Sequence, residues 1–138
     1  MKRSSPTRLI VHLVWSTAHR RAVLLPALDL PLAELLRDKA SGLGCSVLTV
    51  GVATDHVHVL ACLAATACVA DLAQRLKGAS AHALNQRRLL PEALRWQVGY
   101  WAESVSPGGL SQLEPYVRGQ RLRHDDAHPA EAWRHSVD

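Results

Sequence analysis

Asp55-His56-Val57-His58-Val59-Leu60 sets two histidines one residue apart inside an apolar run. In a β-strand, side chains at i and i+2 share a face. His56 and His58 would then converge on one point beside a sheet, with Val57 and Val59 on the opposite face. Imidazole is the commonest metal-ligating side chain, and a rigid strand fixes the spacing between two of them. Taken alone, the pattern equally describes two satisfied or exposed histidines on a half-buried strand. Residues 45–52, Ser-Val-Leu-Thr-Val-Gly-Val in character, read as a preceding strand. Ala53-Thr54-Asp55 can turn, so the two segments make a hairpin whose second arm runs from His56 to Leu63.

Outward from this hairpin the chain alternates between strand and helix patterns. Leu9-Ile10-Val11-His12-Leu13-Val14-Trp15-Ser16 is nearly continuous in apolar residues and reads as a central strand buried on both faces. His12 interrupts it and reads as a hydrogen-bonded core histidine. Thr17 to Arg21 is a basic loop. Asp29 can cap a helix with Pro31 in its first turn, and Gly42 and Gly44 stop it. Val69 to Gln86 is the longest helical pattern, with Val69, Leu72, Ala73, Leu76 and Ala83 on one face. Gly78 within it costs about 1 kcal/mol against alanine, which suggests a close contact there.

Trp96 to Ser104 reads as a fourth strand, and Ser106-Pro107-Gly108-Gly109 as a flexible break. Ser111-Gln112-Leu113-Glu114 has capping-box form. The helix that follows is expected to reach about His124, with Pro115 an alternative start because the residue before proline avoids the α region. Residues 125–138 are polar and are expected to form a loose tail or short helix. The order implies an α+β fold: a ferredoxin-like (RRM-like) βαββαβ core with an antiparallel sheet and helices on one face. A C-terminal helix carrying Tyr116 completes it. Residues 1–138 are expected to form one domain, with a core at about 8–124.

Composition narrows the class further. The 138 residues are 48% hydrophobic, which excludes a disordered chain. The net charge of +4 and the pI near 9.3 favour an anionic partner. Thirteen arginines against three lysines suit bidentate phosphate contacts, although GC-rich coding also favours arginine. Arg20, Arg21, Arg75, Lys77, Arg118, Arg121 and Arg123 are candidate phosphate contacts, each with the alternative of a solvated surface charge. Cys45, Cys62 and Cys68 lack a paired spacing and read as reduced core thiols. With neither a signal peptide nor a membrane-length apolar run visible, a cytoplasmic location is expected.

Tyr116 and Gln120 lie four residues apart, which sets them on one face of a helix. Laid across the free face of the sheet, that helix would bring both toward the histidines. The alternative is an interfacial tyrosine and a solvated glutamine. The second tyrosine, Tyr100, sits in Trp-Gln-Val-Gly-Tyr, which reads as strand and core packing.

These segments, in this order and spacing, resemble the single-tyrosine HUH transposases of insertion sequences, including their REP-associated relatives. The matching segments are Val11-His12-Leu13-Val14-Trp15 with Arg20-Arg21, and Thr54-Asp55-His56-Val57-His58-Val59-Leu60. Leu76-Lys77-Gly78-Ala79-Ser80, Trp96-Gln97 with Gly99-Tyr100, and Tyr116-Val117-Arg118-Gly119-Gln120 complete the set. The resemblance covers Val11 to about His124. Ala18-His19 departs from the Lys-Tyr pair usual in relatives, and Gly119 from a frequent Asn.

The resemblance implies that His56, His58 and Gln120 hold a divalent metal ion, Mg²⁺ or Mn²⁺, and that Tyr116 is the nucleophile. It implies cleavage and rejoining of single-stranded DNA at hairpin-containing ends through a 5′-phosphotyrosine link. It also implies a homodimer with joined sheets, often with the tyrosine helix reaching the partner's histidines; the Gly108-Gly109 break would permit this. A phenol with a pKa near about 10 is a weak nucleophile at neutral pH, so a cation on the scissile phosphate is chemically reasonable. Two other classes stay open. One is a domesticated DNA- or RNA-binding relative, for which few sheet aromatics are available. The other is a water-using phosphodiesterase in which Tyr116 only packs.

Overall fold

The computed structural model describes residues 5–122 together with Ala130, Glu131 and Trp133. Four strands, β1 (Leu9–Ser16), β2 (Ser46–Val52), β3 (His56–Leu63) and β4 (Trp101–Val105), form one sheet. Their order is β2-β3-β1-β4, and every pairing is antiparallel. Helices α1 (Asp29–Ser41) and α2 (Val69–Gln86) join the strands, and α3 (Leu110–Arg118) follows β4. β1 and β2 both run antiparallel to the β3 between them. This is the ferredoxin-like α+β arrangement that the βαββαβ pattern implies.

The sheet has two different faces because strand side chains alternate. Val11, Leu13 and Trp15 of β1 and Val57, Val59 and Ala61 of β3 join Leu32, Leu36, Leu72 and Leu76 in the main core. At about 1.5–3 kcal/mol for each fully buried aliphatic side chain, this face supplies most of the drive to fold. The opposite face carries a small cluster of Leu60, Tyr116 and Val117 beside its polar residues. Polar substitutions on that second face therefore leave the main source of stability intact.

Several element ends differ from the sequence expectations. Asp29 begins α1 but does not cap it, for the cap position is Leu28 with no side-chain bond. The Asp29 carboxylate instead takes a forked contact from Arg121, the shortest arm at 2.7 Å. Strand β4 starts at Trp101, and Trp96 makes only an isolated bridge to Thr17. The intervening chain is fastened to α2: Asn85 bonds both backbone groups of Leu94, and the Lys77 ammonium donates to the carbonyls of Gln97 and Gly99 at 2.8 Å. Gly99 has φ +94°, a left-handed turn that a strand would not contain.

Helix α3 ends at Arg118, and Gly119 N–H donates to Pro115 O at 3.0 Å. The capping box is not formed; Ser111 lies inside the helix, and the entry is held by Ser106 Oγ accepting from Gly109 N–H. Glu114 pairs with Arg118 one turn on. Gly78 faces open space, with nothing within 4 Å of where a Cβ would stand, so no close contact explains it. Cys68 is exposed rather than a core thiol and caps α2, its sulfur accepting from Asp71 N–H at 3.4 Å. Arg123 and most of the expected tail lie outside the described residues. Ala130, Glu131 and Trp133 are helical, and the first two are buried. Among the described residues no helix is long and apolar enough to cross a membrane.

Candidate active site

Strand β3 presents His56 and His58 on the face away from α1 and α2. Across from it on β1, Ser16 stands opposite His56, Val14 opposite His58 and His12 opposite Leu60. His12 is thus a diagonal neighbour of His58, close enough for long side chains to meet. His12 Nε2 lies 2.9 Å from His58 Nδ1. That bond orients the His58 ring and turns its Nε2 toward the site. His56 is oriented in the same way by the adjoining residue, with Nδ1 2.7 Å from Asp55 Oδ1. A carboxylate only accepts, so His56 Nδ1 carries the hydrogen, and in the neutral ring Nε2 is the atom left to act as a ligand.

The tyrosine helix reaches this face through a gap left by Gly51. Gly51 stands opposite His58 on β2, and the Val117 carbonyl of α3 occupies the space where its side chain would be. Docked there, Tyr116 packs edge-on against His58, ring centroids 5.4 Å apart, and is 7% exposed. Gln120 lies past the end of the helix, yet still points inward. Its Nε2 donates to Tyr116 O at 2.9 Å, which turns Oε1 toward His56 Nε2 at 3.2 Å. The structure therefore brings His56, His58, Tyr116 and Gln120 together within one chain.

Glu131 is a member of this group that the sequence did not reveal. Its Oε1 accepts from the Tyr116 hydroxyl at 2.7 Å and lies 3.2 Å from His58 Nε2 and 3.8 Å from His56 Nε2. His56, His58 and Glu131 offer ligand atoms that all lie within 4.8 Å of one another. Metal–ligand bonds of about 2.1 Å imply neighbouring ligand atoms about 3.0–3.4 Å apart in octahedral or tetrahedral sites. The observed spacings of 3.2 and 3.8 Å fall at and slightly beyond that range. His56 Nε2 and Gln120 Oε1 lie 3.2 Å apart, so both atoms could approach one ion. By donor chemistry, with two imidazoles, a carboxylate and an amide oxygen converging, the residues suit a divalent cation.

The basic residues named from sequence lie in several environments. Arg20 and Arg21 sit in the loop leaving β1, whose Thr17 N–H bonds Asp55 O at 2.9 Å, so this loop adjoins the histidine end of the sheet. His19 and Arg20 both have left-handed backbone, φ 57° and 52°, a strain that clusters at functional loops. Arg21 pairs with Glu92 on the surface at 2.8 Å. Arg75 Nε donates to Lys39 O at 2.6 Å, at the seam between α1 and α2. Burial lowers the Lys77 pKa from its ordinary 10.5, and two of its three donors are committed to carbonyls. Arg118 is exposed beside Glu114, and Arg121 is held by Asp29.

Sheet, histidine strand and overlying tyrosine together mark out one class, the single-tyrosine transposases. The chain belongs to the IS200-like transposase family: the family model described as "Transposase IS200 like" matches residues 5–120. The ISDra2 transposase TnpA of Deinococcus radiodurans is 30% identical over 118 residues, which are 82% of this chain and 84% of that protein. A crystal structure of a transposase from Deinococcus radiodurans R1 superposes with a TM-score of 0.68 at 27% identity, over 89% of this chain and 98% of that one. A REP-associated tyrosine transposase bound to a REP hairpin superposes with a TM-score of 0.61, over 85% of this chain and 70% of that one. At 14% identity the last comparison speaks for the fold alone.

Proposed function

We propose that this transposase cuts and rejoins single-stranded DNA at hairpin-containing ends, with Tyr116 as nucleophile and His56, His58 and Gln120 as ligands of Mg²⁺ or Mn²⁺. The observation that carries the reading is the meeting of the Tyr116 hydroxyl with the two imidazoles and the Gln120 amide in a single buried cluster. The phenol oxygen attacks the scissile phosphorus, a Tyr–O–P bond forms, and the bond from phosphorus to the 3′ oxygen breaks. The phenolic proton is finally balanced on the released 3′ hydroxyl. One phosphodiester replaces another, so rejoining needs no ATP. A bound divalent cation supplies charge neutralisation at the phosphate. Asp55 and His12 keep the two imidazoles aimed, and the Gln120–Tyr116 backbone bond keeps the amide oxygen inward. Arg20 and Arg21, beside the histidine end of the sheet, are proposed to contact the DNA backbone. Arg75, Lys77, Arg118 and Arg121 are further candidates, of which Arg121 would have to leave Asp29.

Incubation with labelled single-stranded DNA flanking its own gene, carrying a hairpin, is expected to give a shifted protein–DNA species on a denaturing gel with Mn²⁺ and none with excess chelator. A non-catalytic DNA- or RNA-binding relative would bind the same hairpin and give no such species.

The active form is proposed to be a homodimer. Among the described residues β4 pairs on one side only, and an open edge of this kind accepts a second chain. Each tyrosine is proposed to serve the histidines of its own chain, as Tyr116 does geometrically here. A mixture of His56→Ala and Tyr116→Phe chains is then expected to stay inactive. Restored cleavage in the mixture would instead establish exchange of the tyrosine helix between chains.

A further inference from the structure

The cluster holds a carboxylate that neither the histidine strand nor the tyrosine helix supplies. Glu131 lies 13 positions beyond the last residue of α3, Arg118, and is only 4% exposed. Around its Oε1 stand the Tyr116 hydroxyl at 2.7 Å, His58 Nε2 at 3.2 Å and His56 Nε2 at 3.8 Å. Taking a carboxylate out of water is costly unless charge and hydrogen bonds compensate it. The same three atoms and the Glu131 carboxylate surround one point, where a divalent cation would be held by both imidazoles and the carboxylate.

We propose that Glu131 is a ligand of the metal ion. The centre is then His56, His58 and Glu131, with the Gln120 amide oxygen as a fourth donor. The same carboxylate orients the Tyr116 hydroxyl beside the ion. This rests on the reading of His56 and His58 as a metal pair. The consequence is chemical. Two imidazoles alone suit Zn²⁺ or Ni²⁺ well, whereas an added carboxylate and amide oxygen shift the site toward harder ions such as Mn²⁺ and Mg²⁺. Glu131 also removes one unit of positive charge from the ion, which moderates its hold on a DNA phosphate and eases release of the product.

The test is Mn²⁺ binding by the full chain without DNA, followed by loss of the free-Mn²⁺ paramagnetic resonance signal. Glu131→Gln keeps the shape and removes the charge, and is expected to weaken Mn²⁺ affinity about tenfold or more, the range of at least an orienting partner. Tyr100→Phe, at a residue that packs on the helical side of the sheet away from the cluster, is the control and is expected to bind Mn²⁺ as the wild type does. Mn²⁺ should also raise the melting temperature of the wild type by more than that of Glu131→Gln. Wild-type affinity in Glu131→Gln, with affinity lost in His56→Ala, overturns the role of Glu131 and leaves the histidine pair standing. Wild-type affinity in His56→Ala as well overturns both readings. Circular dichroism establishes folding. If Glu131→Gln is unfolded, Glu131→Asp decides: a shortened ligand lowers affinity, and wild-type affinity there overturns the proposal.

Discussion

Tyr116→Phe is expected to fold, to bind hairpin DNA as the wild type does, and to form no covalent adduct. Cleavage should fall by about 10³-fold or more, because a phenyl ring has no atom with which to replace the 3′ oxygen. The cost to stability is small by comparison. The hydroxyl donates to Glu131, and such a bond contributes about 1 kcal/mol. The ring itself, which packs with Leu60 and Val117, is retained. Tyr100→Phe is the control. Tyr100 is half-buried and packs against the main core on the helical side of the sheet, away from the histidines. Its adduct yield should stay within about threefold of wild type, as for other changes that spare the reacting groups. The assay is the denaturing gel with labelled DNA. An adduct that survives in Tyr116→Phe and vanishes in Tyr100→Phe would reverse the assignment.

The second large effect concerns a residue that touches no substrate. Gly51→Ala sets a methyl group where the Val117 carbonyl lies, and also about 3.0 Å from Gln120 Cγ. The obstacle is main chain at the end of α3, so no rotamer change relieves it. Overpacking of this kind costs about 1–3 kcal/mol, and here the strain is most readily released by lifting α3 off the sheet. Tyr116 and Gln120 would withdraw together from His56 and His58. A displacement of about 1 Å can reduce a reaction by about 10²-fold, so adduct formation should fall by at least that much. The sheet and its α1–α2 side should stay folded. Hydrogen exchange distinguishes the outcomes: amides of α3 should lose protection while those of β1 and β3 keep it. Wild-type activity in Gly51→Ala would show that the helix can seat itself without this gap.

The parts of this molecule that were legible in its sequence are those encoded in short periodic patterns. Alternation in His56–Leu63 gave the strand and the two-sided sheet, and the four-residue interval from Tyr116 to Gln120 anticipated their convergence on the histidines. The interval succeeded although α3 stops at Arg118, because the turn that follows returns Gln120 to the same side and its amide bonds back to Tyr116 O. Helix and strand ends were less legible. Trp96 to Tyr100 has strand-like side chains, but the Lys77 ammonium binds its carbonyls, a tertiary contact that no local pattern announces. His12 read correctly as a hydrogen-bonded histidine, while its partner, His58, emerged only from the register of β1 against β3. Glu131 was hidden for a different reason: one acid in a polar segment has no period, and nothing local links it to a strand far upstream. A companion signal is the apolar Ala130 beside it, buried in the structure.

The alternation of His56, Val57, His58 and Val59 has a consequence for how this chain can change over generations. Odd and even positions of one short segment answer to different demands, the proposed chemistry on one side and folding on the other. Adding or deleting a single residue there would invert both at once, sending valines into the reaction centre and imidazoles into oil. Length variation should therefore accumulate in the loops between elements, while the histidine strand tolerates only replacement in kind.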